Sequence, residues 1–456
     1  MQSIIKGTSL NSKKNFSNIG ILPSFKSRLT RKPKPTKRNR SIENSRIKNF
    51  TRKTASRKIG TFMKRHRNKI RLNFLNTICS DSNVCIAFGK ETKIIRKFFD
   101  DFDLRKISSS IKIDNDSVNG TVYLLTFEKD GYVANSVFKT TKERNTDNIA
   151  YEAMVGNFIN KQRLRFPCFL ETYGLYEYPQ FGKYGVNKKI DVNKEAIIKG
   201  CVKPLNMGIM IENIKEGETL SSKIKSFDAL EEYSKFMNFN LLYILYQIYG
   251  PLSILSEVFT HYDLHHENVM LYEPVQGKYI EYNYHYPDHT VTFNSKYIVK
   301  IIDYGKSFFE DESGYNPRDI YRDLCNNRKE GGKCSDCGMK DGFKYLNPIP
   351  MHNISSQTRN MSHDLRLLDI IKVYDPTYSI ALRKLINSTI YKENYGTCEI
   401  TAQNDDSITN VNDARRHMEK LMELRYFKDN NDYDPSDKLG LMHIYSDGRP
   451  MEYISV

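Results

Sequence analysis

The chain has 456 residues, 39% hydrophobic and 27% charged, a soluble globular mix that excludes a wholly disordered chain and a collagen-like repeat. Its core must be built without Trp, from 30 Tyr and 24 Phe among the large rings. The net charge of +16 is uneven: residues 1–71 hold 22 Lys or Arg against one acid, Glu43, for +21, so that 16 − 21 leaves −5 on the other 385.

Residues 1–75 read as a basic disordered arm. Runs such as Arg31-Lys32-Pro33-Lys34-Pro35 and Lys64-Arg65-His66-Arg67 repel themselves and bury little. One reading of residues 1–71 is binding to nucleic acid or another polyanion by counterion release. The other is a solvated tail or a localisation signal. No apolar segment ending in small residues opens the chain, so secretion is not expected. The most apolar window, Leu241 to Phe259, is interrupted by Gln247, Pro251, Ser253, Ser256 and Glu257, so no membrane span is expected. Eight Cys, five scattered and three clustered, suit a reducing compartment, cytoplasmic or nuclear.

Strand-like runs follow at Ile111–Ile113, Thr121–Phe127 and Tyr132–Thr140, rich in β-branched and aromatic residues. A helix is predicted from Asp147 to Lys161, with Ile149, Met154, Phe158 and Ile159 near one face. Phe169–Tyr178 and Met207–Ile214 read as strands. From Leu230 the period becomes helical, through Met237, Leu241, Ile244, Ile248, Leu252, Leu255 and Phe259. Pro251 should kink or break that helix. The order is a β-rich half with one helix, then a mostly helical half, which defines an α+β class.

Two strings carry chemistry. His261-Tyr262-Asp263-Leu264-His265-His266-Glu267-Asn268 follows the long helix. Downstream, an apolar strand ends in an acid, Ile298-Val299-Lys300-Ile301-Ile302-Asp303-Tyr304-Gly305. These resemble the catalytic loop and the metal-binding D-F-G of the protein-kinase-like superfamily, with His261, Asp263 and Asn268 matching in the first and Asp303 and Gly305 in the second. The resemblance covers roughly residues 105–375 and implies a bilobal fold. The small lobe would occupy 76–213, with a preceding segment. The large lobe would occupy 214–456, with a hairpin insertion at 272–296, a Cys-containing segment at 306–361 and a C-terminal extension.

The resemblance also implies roles. Asp263 would take the proton of an acceptor hydroxyl. Asn268 and Asp303 would hold Mg²⁺ against the phosphates of ATP. Lys139, in Ser136-Val137-Phe138-Lys139, would hold the α- and β-phosphates, and Glu152 would pair it. The phosphate-covering turn would be Asn115, Ser117, Gly120 and Val122, with one of the three usual glycines. Backbone groups near Glu212 to Ile214 would meet the adenine. Asp364 resembles the buried aspartate that ties down the catalytic loop; alternatively it is an ordinary first-turn carboxylate.

The pattern departs in three places. His265 stands where Ser/Thr protein kinases carry Lys to touch the transferred phosphate, and H-x-D-L-H is frequent in aminoglycoside and choline phosphotransferases; as a catalytic residue its imidazole would donate a hydrogen bond to the phosphate, and alternatively it only packs. Asp263 and Asp303 are forty residues apart, about twice the usual interval, and the excess carries His285 and His289, either metal ligands or exposed. No A-P-E string closes the activation segment, which instead contains Cys325, Cys334 and Cys337. These suit Zn²⁺ with His352 or His363 as fourth ligand, or are reduced thiols in a Gly-rich loop. Abundant Asn, Lys, Ile and Tyr suggest an AT-rich genome, such as that of a large DNA virus or a protist; a viral protein would act in the host cell or virion. The reading is an ATP-dependent phosphotransferase, first a serine/threonine protein kinase. A small-molecule kinase and a pseudokinase scaffold with a polyanion-binding arm are the alternatives.

Overall fold

A computed structural model describes residues 107–113, 121–129, 132–140, 147–177, 188–193, 195–197, 206–214, 217–316, 343–345, 352–354, 358–374, 379–391 and 407–456. The chain divides into two units, Met1–Ile70 and Arg71–Val456, and all described residues belong to the second. The basic arm, the turn at Asn115, Ser117 and Gly120, and the three clustered cysteines lie outside the described residues.

The second unit is a mixed α+β structure. It opens with β1 (Ile107–Lys112), β2 (Thr121–Lys129) and β3 (Tyr132–Thr140), then α1 (Asp147–Gln162), β4 (Thr172–Glu177), β5 (Lys188–Ile190) and β6 (Met207–Glu212). These strands form one antiparallel sheet in the order β1-β2-β3-β6-β4-β5. The first strand starts four residues earlier than the apolar run suggested, because Ile107, Ser109 and Ser110 still pair with β2, the serines despite their polarity and with Ser108 at a bulge.

The predicted helix runs Asp147–Gln162, one residue past the expected end. It is not half-exposed: Ala150, Tyr151, Ala153 and Val155 are buried as fully as the expected face. The sheet covers one side of it through β4 and β6, and the later half of the chain covers another. Gly156 allows the close approach to β4. A Cβ there would lie 2.2 Å from Thr172 Oγ1, and Thr172 is bonded through its N–H and carbonyl to the Asn160 side chain, at 2.8 and 2.7 Å.

The helical half begins with β7 (Glu218–Thr219), α2 (Leu220–Lys225) and α3 (Leu230–Lys235). A π-helical turn at Phe236–Asn240 leads into α4 (Leu241–Ile254). Pro251 neither breaks nor ends α4. It sits inside the last turn with its ring buried, and the helix continues past it although Pro has no N–H to donate to the Gln247 carbonyl. The irregularity lies instead at the π turn. Every residue of α4 from Leu241 to Ser253 is buried, as for a central helix packed on all sides.

Then come β8 (Phe259–Thr260), β9 (Val269–Tyr272), β10 (Tyr279–His285), β11 (Thr290–Ser295), β12 (Ile298–Ile301) and β13 (Phe308–Phe309). Two short strands, β14 (Phe343–Tyr345) and β15 (His352–Ile354), pair with each other. The chain closes with α5 (Arg366–Ile371), α6 (Ile380–Asn387), α7 (Val411–Met422), α8 (Arg425–Asn430), β16 (Lys438–Tyr445) and β17 (Glu452–Ser455).

The 272–296 insertion contains the expected hairpin, β10 with β11. It does not simply lengthen β9 and β12, which form their own sheet with β7. The hairpin joins a second sheet, β11-β10-β16-β17, in which β16 runs parallel to β10. Tyrosines supply the bulk that Trp would elsewhere. Phe293 of β11 stacks on Tyr282 and on Tyr243 of α4, both at 5.2 Å between centroids, and Tyr246 meets Tyr284 edge-on at 5.1 Å. Among the described residues no helix is long and apolar enough to cross a membrane.

Candidate active site

Lys139 lies near the end of β3, opposite Val122 on β2 and Ile209 on β6. Phe138 turns into the core, so alternation sends Lys139 to the other face. Its Nζ is 2.8 Å from Glu152 Oε2 and 2.8 Å from Asp303 Oδ1. One ammonium thus joins α1 to the segment after β12. Burial lowers the Lys139 pKa, but Asp303 and Glu152 outweigh it and hold the group above its ordinary range. Burial pushes Asp303 up, and Lys139 overrides it to hold the carboxyl at about 2. Glu152 is more deeply buried, and desolvation raises it against the pull of Lys139.

Asp263 and Asn268 come from the loop between β8 and β9. Asp364 anchors that loop. Its Oδ2 accepts the His261 N–H at 2.8 Å and its Oδ1 the Tyr262 N–H at 2.9 Å. The first-turn alternative for Asp364 therefore gives way to an anchoring role. Burial pushes its carboxyl up to about 7 and the two N–H bonds pull it down; both oxygens act as acceptors, as in the ionised form. Tyr262 takes φ +66 and Asp303 φ +65, left-handed values that a non-glycine residue adopts at a cost of about 1–3 kcal/mol and keeps only where its surroundings hold it. The Tyr262 hydroxyl donates to the Thr358 carbonyl.

His261 is buried and links the two strings. Its Nε2 meets the Ile302 carbonyl at 3.0 Å and its Nδ1 faces the Asp263 N–H at 3.2 Å, which assigns the Nε2-protonated neutral tautomer. Burial lowers its pKa to about 4. Asn268 donates its amide N–H to the Asp263 carbonyl at 2.9 Å, and its own carbonyl accepts the Ile302 N–H at 3.0 Å. Tyr304 donates to the Ile301 carbonyl at 2.6 Å and accepts the Leu170 N–H at 3.0 Å.

The residues that sequence reasoning missed are cations. Lys306 Nζ lies 2.7 Å from Asp263 Oδ2, and Arg366 Nη1 lies 2.9 Å from Asp263 Oδ1. Burial raises the Asp263 pKa, but Lys306 outweighs that and the net shift is downward, so Asp263 is a carboxylate at neutral pH. His265 is 3.9 Å from Asp263, too far for a hydrogen bond, and burial lowers its pKa. Its Nδ1 accepts the Glu267 N–H at 3.2 Å.

Glu212 sits apart from these groups. Its carboxylate bonds Arg163 at 2.6 and 3.2 Å and the Glu171 N–H at 3.1 Å. Its N–H goes to the Glu171 carbonyl at 2.8 Å, so only its carbonyl oxygen has the chemistry to meet a base edge. Arg163 also pairs with Glu171 at 3.0 Å, and Lys300 reaches Glu212 at 3.8 Å and the Phe169 carbonyl at 3.2 Å. This buried network of two cations and two anions was not read from the sequence. Ile214, two residues after Glu212, is buried.

The histidine readings resolve differently. His285 Nε2 meets His443 Nδ1 at 3.0 Å, and His289 faces Asp288 and Glu419. His363 packs against the Tyr262 and Tyr391 rings, at 4.9 and 5.7 Å. Among the described residues no group of three or more His, Cys, Asp or Glu could hold a metal. Asp303 and Asn268 make a smaller set: one carboxylate and one amide oxygen on loops tied by the Ile302–Asn268 bond. Hard oxygen donors in that number suit Mg²⁺, which takes one or two protein ligands and completes its shell with phosphate and water. No protein-family model matches the chain, and no curated protein matches its sequence.

Proposed function

We propose that the protein is an ATP-dependent phosphotransferase with a bilobal protein-kinase-like architecture, transferring the γ-phosphoryl group to a hydroxyl, first of all a Ser or Thr of a protein. The observation that carries the reading is the pair of salt bridges from Lys139 to Glu152 and Asp303, with Asp263 on the neighbouring loop. The antiparallel order β1-β2-β3-β6-β4 with α1 beside it supports a small lobe, and α4 with α7 a large one.

Lys139, held by Glu152, would bind the α- and β-phosphates. Asp303 and Asn268 would hold Mg²⁺, which when bound offsets charge on the phosphates. Asp263 orients the acceptor O–H and takes its proton as the new O–P bond forms. The bond from phosphorus to the bridging oxygen breaks, and ADP leaves with the electron pair. Lys306 keeps a fixed cation beside Asp263 and within electrostatic reach of Asp303, which offsets charge on the transferring group without reorganisation.

A small-molecule acceptor is the second reading, favoured by His265 two residues after Asp263. Labelled ATP offered with basic proteins, acidic peptides and amino-alcohols separates the two. Wild type should transfer phosphate, and Asp303→Ala should lose about a hundredfold or more. Equal transfer by both would overturn the reading. A thermal shift with Mg·ATP but no transfer to any acceptor would leave a nucleotide-binding scaffold.

A further inference from the structure

Two cations hold Asp263, one on each oxygen, and they come from different directions. Lys306 takes Oδ2 and its charge reaches Asp303. Arg366 takes Oδ1 from the first residue of α5, two residues past the anchor Asp364. Its positive charge is felt by His265 and His266, and that of Lys225 by His266. The other charges felt on this flank are the cation Lys306 and the anion Glu267, and of all of them Arg366 is the one that bonds the Asp263 oxygen on this side.

An acceptor hydroxyl must take over one oxygen of Asp263 before it can pass on its proton. Displacing Lys306 would take from Asp263 a cation whose charge also reaches Asp303. Displacing Arg366 frees a partly buried guanidinium, 23% exposed, which needs a new anion. A carboxylate on the acceptor supplies it, and the planar fork of Arg suits that partner better than an ammonium would. A neutral acceptor leaves the guanidinium unmatched, and a basic one is repelled.

We infer that Arg366 is a specificity-determining residue that selects acceptors carrying a carboxylate beside the reacting hydroxyl, as in an acidic Ser/Thr peptide. The inference rests on the proposed phosphotransfer. It agrees with the charge of the arm, +21 over residues 1–71, which attracts acidic partners from a distance.

The test uses the full chain and three peptides with one Ser flanked by Asp, Ala or Lys. It reads kcat/KM for transfer, and Kd in the presence of Mg²⁺ and a non-hydrolysable ATP analogue. Wild type should favour the Asp peptide over the Ala peptide about tenfold or more, and the Lys peptide should be poorest. Arg366→Gln should bring the Asp-to-Ala ratio to about one, and Arg366→Glu should invert the order of the Asp and Lys peptides. A merely structural role would lower all three peptides together. Should either variant unfold, the preference of wild type and its weakening with salt still decide. Transfer without acidic preference overturns the role of Arg366 alone. Absence of both Mg·ATP binding and transfer in wild type overturns the phosphotransfer reading beneath it.

Discussion

Asp263 has neighbours of opposite effect: burial pushes its carboxyl up, and Lys306 more than restores it. On the proposed mechanism Lys306 therefore does two things, keeping Asp263 ionised and offsetting charge on the transferring group. Lys306→Ala should lower kcat by about 10²–10³, with a smaller change in KM for ATP, because Lys139 remains. It should also move the acidic limb of the pH–rate profile upward, since an Asp263 without its cation protonates more readily. Steady-state kinetics across pH checks both, and an unchanged acidic limb would remove Lys306 from the pair. Lys139, Glu152, Asp263, Asn268 and Asp303 could be brought into one hypothesis from sequence because each stands where the resembled motifs expect it. Lys306 and Arg366 could not, since they meet Asp263 only through the path of the chain after β12 and the start of α5.

At the scale of elements, short-range patterns were legible. The helix at Asp147 and the strands at Thr121 and Tyr132 are set by local periodicity and turn residues. The parallel pairing of β16 with β10 was not, because a C-terminal strand more than 150 residues away leaves no local mark on the hairpin it joins. Nor was the π turn before α4, where hydrophobic spacing continues through the irregular backbone. Asp364, just before α5, holds the backbone of the loop that carries Asp263, while Arg366 of α5 reaches the Asp263 side chain itself. Asp364 uses both oxygens on successive backbone N–H groups and holds Tyr262 at positive φ. Asn in its place offers one acceptor oxygen and sets an NH₂ against an N–H. Asp364→Asn should cost about 2 kcal/mol, read by urea unfolding. Transfer should fall further than stability explains, because Asp263 follows Tyr262 directly. A variant as stable and as active as wild type would show that the loop holds its shape without the anchor.

Across the whole second unit, the network of Arg163, Glu171, Glu212 and Lys300 joins the end of α1, the strand β6 and the strand β12 in one buried cluster. Such a cluster gives weak net stabilisation, because desolvation offsets most of the attraction. Lys300 feels that cost: burial lowers its pKa to about 8 although Glu212 pulls it up. In the unfolded chain it titrates near its ordinary 10.5. Between those values the unfolded chain keeps a proton that the folded chain has released, so the contribution of Lys300 to stability rises with pH from about 8 to about 10.5. Below 8 both states are protonated and the burial penalty is fully present. Buried tyrosines such as Tyr282, raised by desolvation, act in the opposite sense above about 10. They are common to wild type and Lys300→Met and cancel in the difference. Wild-type stability minus that of Lys300→Met should therefore climb between about pH 8 and 10, measured by urea unfolding at several pH values. A flat difference would mean that the ammonium keeps its ordinary titration despite its depth, and that the cluster stabilises this charge as well as water does.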